Sequence, residues 1–256
     1  MCGQYGVGID IGSTSAKTVV VDRSGAIVWR DLRPTGWSSL ETARAIRHAL
    51  PEFVDNRAHI VATGYGRVSV PFADRRMTEI SCHAKGAVSL FGEADLNVID
   101  IGGQDTKLIV ISGGAVSEFV MNDKCSAGTG RFLEVMANTL SVDPAELCDM
   151  ARLGSETRIS SLCTVFAESE VISLIGGGTP RESIAWGIVD SIARKVKAQA
   201  GQLHLGAGPL CLTGGLCDFP FVRQRLQVAL GRDVLTTPDA RFAGALGAAI
   251  YALQQE

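Results

Sequence analysis

The sequence contains no CxxC pair, no apolar run near the roughly 18 residues a membrane span requires, and no cluster of basic residues. Each absence closes off a class of function. Without a CxxC pair, neither a zinc ribbon nor a ferredoxin site built within one chain has local support, so any metal site must be assembled from distant cysteines or from more than one chain. A net charge of -3 gives no electrostatic reason to expect nucleic acid or an anionic membrane as partner. The opening "MCGQYGVGID" passes within a few residues into a strand pattern, leaving no room for a charged segment, an apolar segment and a cleavage site. The expectation is a cytoplasmic protein. No Pro/Ser-rich linker marks a domain boundary.

What is present fits a folded α/β protein. The chain has 256 residues, 46% apolar and 20% charged, enough for one large domain or two smaller lobes. Seven cysteines (Cys2, Cys82, Cys125, Cys148, Cys163, Cys211 and Cys217) form an odd set in a chain expected in the reducing cytosol, which argues against a disulfide framework.

An internal repeat organises the chain. "GIDIGSTSAKTVVVD" begins at Gly8 and "VIDIGGQDTKLIVIS" begins at Val98, with Asp10 matching Asp100 and Lys17 matching Lys107, both offset by 90 positions. Each copy reads as a strand, a tight glycine turn and a second β-branched strand. "DRSGAIVW" and "SGGAVSEF" then read as a hairpin turn and a third strand. Helical spacing follows over 38–50, with Ser39 as N-cap, and over 81–91. Strands followed by helices in both copies predict two similar α/β lobes facing each other across a cleft.

The two turns suit phosphate. At 9–14 the backbone N–H groups and the Ser13 and Thr14 hydroxyls can hold phosphate oxygens, and Asp10 can take a magnesium ion or its waters. Ile-Asp-Ile-Gly-Gly-Gln-Asp at 99–105 offers the same device a second time. In "LCLTGGLCDF", a strand ends in Gly214 and Gly215, which permit close approach of a flat ligand such as adenosine.

Two cysteines stand near predicted helix starts. In "KCSAGTGRFLEVMANTL", Phe132, Leu133, Met136 and Leu140 share one face of a helix that begins near Cys125. In "SSLCTVFAESEVISLI", Cys163 precedes an apolar face of Val165, Phe166, Ile172 and Ile175. A helix N-terminus stabilises a thiolate, or the negative charge of a thiolate-ligated iron–sulfur cluster, although a small thiol packed beside a helix has the same pattern.

The order of these pieces resembles the nucleotide-binding superfamily of actin, the heat-shock chaperone ATPases, sugar kinases and acetate kinases. That likeness implies a two-lobed actin-like ATPase (ribonuclease H-like) fold, with duplicated mixed sheets around a nucleotide cleft. "ATGYGR" (62–67), "SCHAKGA" (81–87), "VIDIGGQDTK" (98–107), "MNDKCSAGTGRFLEVMAN" (121–138) and "CTVFAESEVISL" (163–174) more closely resemble the activator ATPases of 2-hydroxyacyl-CoA dehydratases, a family that includes the ATPase subunits of benzoyl-CoA reductases. The likeness runs from about residue 6 to residue 252. It implies a homodimer sharing one 4Fe–4S cluster, two cysteines coming from each chain, here Cys125 and Cys163. It also implies a ferredoxin or flavodoxin as electron donor, a lobe rotation driven by ATP binding and hydrolysis, and an electron delivered to a dehydratase or reductase partner.

Roles follow for individual residues. Gly12, Ser13, Thr14 and Lys17 are expected to contact phosphates, and Asp10 and Asp100 to position magnesium or its waters. Gly102, Gly103 and Gln104 are expected near the γ-phosphate of ATP, with Gln104 or Asp105 placing the attacking water, and Gly214 and Gly215 beside the adenosine of ATP or ADP. Lys17 and Lys107 also suit solvent-facing strand positions, and Glu134 a solvated helix carboxylate or a nucleotide-facing one. Cys82, Cys148, Cys211 and Cys217 read as packed or semi-exposed thiols, His83 as a structural histidine, and 194–206 as the solvated face of a helix. The small residues Gly244, Ala245, Gly247 and Ala248 suit a C-terminal helix lying close on another backbone. The expected lobes are 1–95 with 240–256, and 96–239. A small-molecule kinase of the N-acetylglucosamine kinase type shares fold and length but would leave both helix-start cysteines idle. A chaperone or filament-type ATPase normally needs insertions for which this length leaves no room.

Overall fold

A computed structural model describes residues 5–54, 58–160 and 163–255. Cys2 lies outside them. The described chain forms two compact units: Met1–Leu96 with Ile111–Ser117 and Thr237–Glu256, and Asn97–Val110 with Glu118–Thr236.

The first unit is built on a five-stranded sheet of order β3-β2-β1-β4-β5, made of β1 (Tyr5–Ile11), β2 (Ser15–Asp22), β3 (Ile27–Pro34), β4 (His59–Thr63) and β5 (Arg75–Arg76). The central strand β1 pairs antiparallel with β2 and parallel with β4. It is buried on both faces, which is why it reads as an apolar run. Alternation along β1 sends Val7, Ile9 and Ile11 into a core with Ala43, Ile46, Ile60 and Val70, and turns Gly6, Gly8 and Asp10 to the opposite face. Edge strand β3 instead alternates exposed and half-buried residues. The β2–β3 turn is tied by Asp22, whose carboxylate accepts from the N–H groups of Ser24 and Ala26 at 2.8 and 3.1 Å.

Three helices complete this unit: α1 (Ser39–Ala49), α2 (Glu79–Phe91) and α8 (Ala243–Leu253). The cap of α1 is Ser38, not Ser39: the Ser38 hydroxyl accepts from the Glu41 N–H at 3.3 Å, and Ser39 is the first helical residue. The small-residue helix α8 lies directly on β1. A methyl at Gly8 would stand 1.9 Å from the Ala245 carbonyl oxygen, and one at Gly247 would stand 1.8 Å from the Cys82 carbonyl oxygen on α2. Close approach of three backbones is thus what these glycines permit.

The second sheet repeats the first. Its order is β10-β9-β6-β7-β8, from β6 (Leu96–Ile101), β7 (Thr106–Ser112), β8 (Ala115–Asn122), β9 (Leu210–Gly214) and β10 (Val234–Leu235), and β6 runs parallel to β9 as β1 does to β4. The tip of the β7–β8 turn groups with the first unit, where the Gly113 and Gly114 N–H groups donate to Asp95 and to the Ala94 carbonyl at 2.8 Å each.

Around this sheet pack α3 (Gly130–Thr139), α4 (Pro144–Ala151), α5 (Thr164–Gly176), α6 (Arg181–Ala200) and α7 (Pro220–Leu230). Phe132, Leu133 and Met136 of α3 and Leu140 just beyond it are buried, as their spacing predicts. Along α6, Ile184, Ile188, Ile192 and Val196 form a buried stripe, each worth about 1.5–3 kcal/mol of removed apolar surface. The reading of 194–206 as a solvated helix face holds in part. Lys197 and Ala198 are exposed while Val196 and Gln199 turn inward, and Arg194 pairs with Asp190 at 2.9 Å. The helix ends at Ala200, so the exposed residues beyond it are not helical.

Candidate functional site

The two aspartate-glycine turns have one geometry. Gly12 N–H donates to the Ser15 carbonyl at 3.1 Å, and Gly102 N–H donates to the Asp105 carbonyl at 2.9 Å. Thr14 and Gln104 occupy the same exposed slot at the turn tips, and Asp10 and Asp100 are both buried beneath. Register pairs Asp10 with Thr63 and Asp100 with Thr213 on the neighbouring parallel strand.

A glycine follows each of those threonines. Gly64 has φ +87° and Gly214 has φ +83°, in the left-handed region where a side chain is strained. A methyl on Gly64 would meet Asp10 Oδ1 at 2.4 Å, and one on Gly214 would meet Asp100 Oδ1 at 2.7 Å. Sequence reasoning found Gly214 and missed Gly64. The shared dipeptide in "ATGYG" and "LTGGL" was the available signal.

The carboxylates differ in their surroundings. Asp100 Oδ1 accepts from the Thr213 hydroxyl at 2.9 Å, and Asp100 Oδ2 lies 3.4 Å from Lys107 Nζ. Lys107 also reaches Asp105 Oδ1 at 2.8 Å and is 2% exposed, so it is a buried bridge rather than a solvent-facing lysine. Lys17, its counterpart, is half-exposed. Asp10 Oδ1 is buried and, among the described residues, has no hydrogen-bond partner. A buried carboxylate oxygen left open in this way fits a cation or its bound water.

The second turn is joined to α3. Gly130 N–H donates to the Gly102 carbonyl at 2.9 Å and Arg131 N–H to the Gly103 carbonyl at 2.8 Å, so the first amides of the helix are spent on the turn. Glu134 pairs with Arg131 at 3.1 Å on the exposed side of α3. Gly215 N–H donates to the Ile101 carbonyl at 2.9 Å, which holds the double glycine against the same strand end.

Cys125 is half-buried in the loop before α3, and Cys163 is the exposed N-cap residue of α5. Ser126 Oγ and Thr164 Oγ1 are 2.7 Å apart, so the residues next to the two cysteines touch. Asn122 Nδ2 steadies the loop by donating to the Cys125 carbonyl at 2.8 Å. Two exposed or half-exposed thiols in one neighbourhood are a donor set that suits half of a four-thiolate cluster. Cys82, Cys148, Cys211 and Cys217 are buried. Burial pushes the Cys82 and Cys148 thiols up to about 12, so both stay protonated and are poor ligands. His83 is buried on α2 beside Gly244.

The expected apolar face of α5 does not enter the core. Val165 is 66% exposed and Phe166 68%, with Ile172 and Ile175 also exposed, while Ala167 and Val171 are the residues that turn inward. An apolar face left on the surface beside Cys163 suits a protein contact.

Known proteins resemble this chain over nearly its whole length. The pattern of the BadF/BadG/BcrA/BcrD ATPase family matches residues 7–252. The (R)-2-hydroxyglutaryl-CoA dehydratase activating ATPase of Acidaminococcus fermentans is 42% identical over 98% of each chain. The crystal structure of component A of the (R)-2-hydroxyglutaryl-CoA dehydratase from that organism superposes with a TM-score of 0.91 at 41% identity, covering 98% of each chain. The activator of the 2-hydroxyisocaproyl-CoA dehydratase from Clostridium difficile, solved with bound ADPNP, gives a TM-score of 0.87 at 35% identity, covering 98% of this chain and 94% of that one. A ROK family glucokinase from Streptomyces griseus, 17% identical with a TM-score of 0.61, shares the actin-like fold alone.

Proposed function

The chain belongs to the BadF/BadG/BcrA/BcrD ATPase family, and we propose that its ATPase drives one-electron transfer to a 2-hydroxyacyl-CoA dehydratase or related reductase, with a 4Fe–4S cluster held by Cys125 and Cys163 from each of two subunits. The observation that carries this reading is the Ser126–Thr164 contact at 2.7 Å, which joins the residues beside Cys125 and Cys163 within the unit that holds the second turn. A cluster bound there supplies a one-electron reservoir.

The protein's own residues do the rest. Ser13, Thr14 and Lys17 hold phosphate oxygens on the first turn and Gly103 on the second, while Gly12 and Gly102, whose N–H groups are spent inside the turns, leave room for the phosphates to approach. Asp10, with its open oxygen, takes Mg²⁺ or a water bound to it. Asp100 is already engaged by Thr213 and Lys107 and sets the floor of the second turn. Because Asp105 is bound by Lys107, the exposed Gln104 is the residue that orients the attacking water. Gly214 and Gly215 border the adenosine. As the turn answers to the presence of the γ-phosphate, its Gly102 and Gly103 carbonyls pull on the first amides of α3, and so on the loop of Cys125.

Two subunits are needed to supply four thiolates, and the exposed Val165, Phe166, Ile172 and Ile175 supply an apolar contact beside Cys163. Ferredoxin or flavodoxin is the proposed donor and the cytoplasm the proposed compartment. Among the described residues no helix is long and apolar enough to cross a membrane. A kinase reading has fold likeness behind it and leaves both thiols without work.

The test is ATP-dependent electron release. Reconstituted anaerobically and reduced, the protein should pass an electron to an added viologen faster with Mg-ATP than with Mg-ADP. Equal rates with the two nucleotides would contradict the proposal.

A further inference from the structure

The loop that carries Cys125 is tied at both ends. Toward the phosphate turn, Gly130 and Arg131 donate to Gly102 and Gly103, and the Thr106 hydroxyl donates to the Gly128 carbonyl at 2.8 Å. Within the loop, the fully buried Thr129 donates twice to the Ser126 carbonyl, from its hydroxyl at 2.6 Å and from its N–H at 3.1 Å. Beyond the loop, Ser126 Oγ meets Thr164 Oγ1, and Thr164 is the first residue of α5, next to Cys163. Hydrogen bonds thus run from the turn through α3 and Ser126 to Thr164 without leaving one unit.

Ser126 adjoins one thiol residue and Thr164 the other. A hydroxyl pair this short sets the spacing of the two backbones, because each hydroxyl is held as donor or acceptor of the other. We infer that Ser126 and Thr164 are positioning residues: their hydrogen bond makes Cys163 follow the displacement that the phosphate turn imparts to the Cys125 loop. The inference rests on the reading of Cys125 and Cys163 as cluster ligands and adds the contact through which both respond to nucleotide. Valine at 164 keeps the shape of threonine and removes the bond. Serine at 164 restores it.

The experiment uses cluster-free, full-length protein. N-ethylmaleimide modification of Cys125 and Cys163 is followed separately by peptide mass spectrometry, without nucleotide and with Mg-ADPNP. In the native sequence both rates should change with nucleotide by about fivefold, the factor one ordinary hydrogen bond commands. In Thr164→Val and in Ser126→Ala, Cys125 should keep its response and Cys163 should lose it, and Thr164→Ser should recover it. If Thr164→Val fails to fold, Ser126→Ala carries the test. A Cys163 that still follows nucleotide in these variants, or native thiols that ignore nucleotide, overturns the inference. Iron content of reconstituted native protein judges the cluster reading independently: iron present with Cys163 still responsive in the variants rejects only the hydroxyl contact, whereas no iron rejects the cluster.

Discussion

Gly64 and Gly214 occupy the same position in the two sheets, each after a threonine that pairs with the buried aspartate of the adjacent strand, with φ of +87° and +83°. Each backbone lies where a methyl would meet a carbonyl oxygen, Ile11 at 2.5 Å and Ile101 at 2.4 Å. A left-handed conformation alone costs an L-residue roughly 1–2 kcal/mol. Gly64→Ala and Gly214→Ala are therefore each expected to lose at least about 2 kcal/mol of stability in urea unfolding, and to weaken ATP binding in a nucleotide titration. Retention of native stability by either variant would show that the strand ends are looser than described.

Lys107 and Lys17 match in the repeat and part in consequence. Replacing Lys107 by Met leaves Asp100 and Asp105 without their buried cation, and a broken buried pair typically costs about 3–5 kcal/mol. Lys17→Met removes a half-exposed charge, expected to cost less than about 1 kcal/mol, and should instead raise the KM for ATP. Urea unfolding and ATPase kinetics on both variants check the division.

Burial of Cys82 and Cys148 makes stability fall in alkali. Both thiols titrate in the folded chain at about 12 against an ordinary 9.0, so the unfolded chain loses its protons first. Their contribution is complete below about pH 9 and is lost as pH rises from 9 toward 12, by about 1.4 kcal/mol per pH unit for each thiol. Cys148→Ala should flatten the slope of unfolding free energy between pH 9 and 10.5. An unchanged slope would mean that the thiol is reached by solvent.

Gln104 and Asp105 are neighbours with separable effects. Gln104→Ala should lower kcat for ATP hydrolysis by about 10²-fold or more while leaving ATP affinity near native, as expected for a group that orients water. Asp105→Asn should act chiefly on stability, because its oxygen faces the buried Lys107. Reversed effects would exchange their roles.

Much of this arrangement was legible in the sequence, for physical reasons. The duplicated Asp-Gly turn shows itself because strand, glycine and β-branched strand leave a periodic trace, and the small residues of α8 announce close packing against β1. Gly64 was missed because a Thr-Gly pair reads as an ordinary turn until register sets it beside Asp10. The exposure of Phe166 was missed because periodicity reports that a face is apolar and not what covers it. Burial of Lys107 could not be read from its counterpart Lys17, since it depends on Asp105, where the first copy has Ser15. The Ser126–Thr164 contact joins residues 38 apart in the chain and leaves no periodic mark.

The most direct measurement is iron and acid-labile sulfide per dimer after anaerobic purification, on the native protein and on Cys125→Ser and Cys163→Ser. The account predicts about four irons per dimer in the native protein, lost in both variants, with Cys148→Ala as a control that keeps them. A native protein that binds no iron even after anaerobic reconstitution would contradict it.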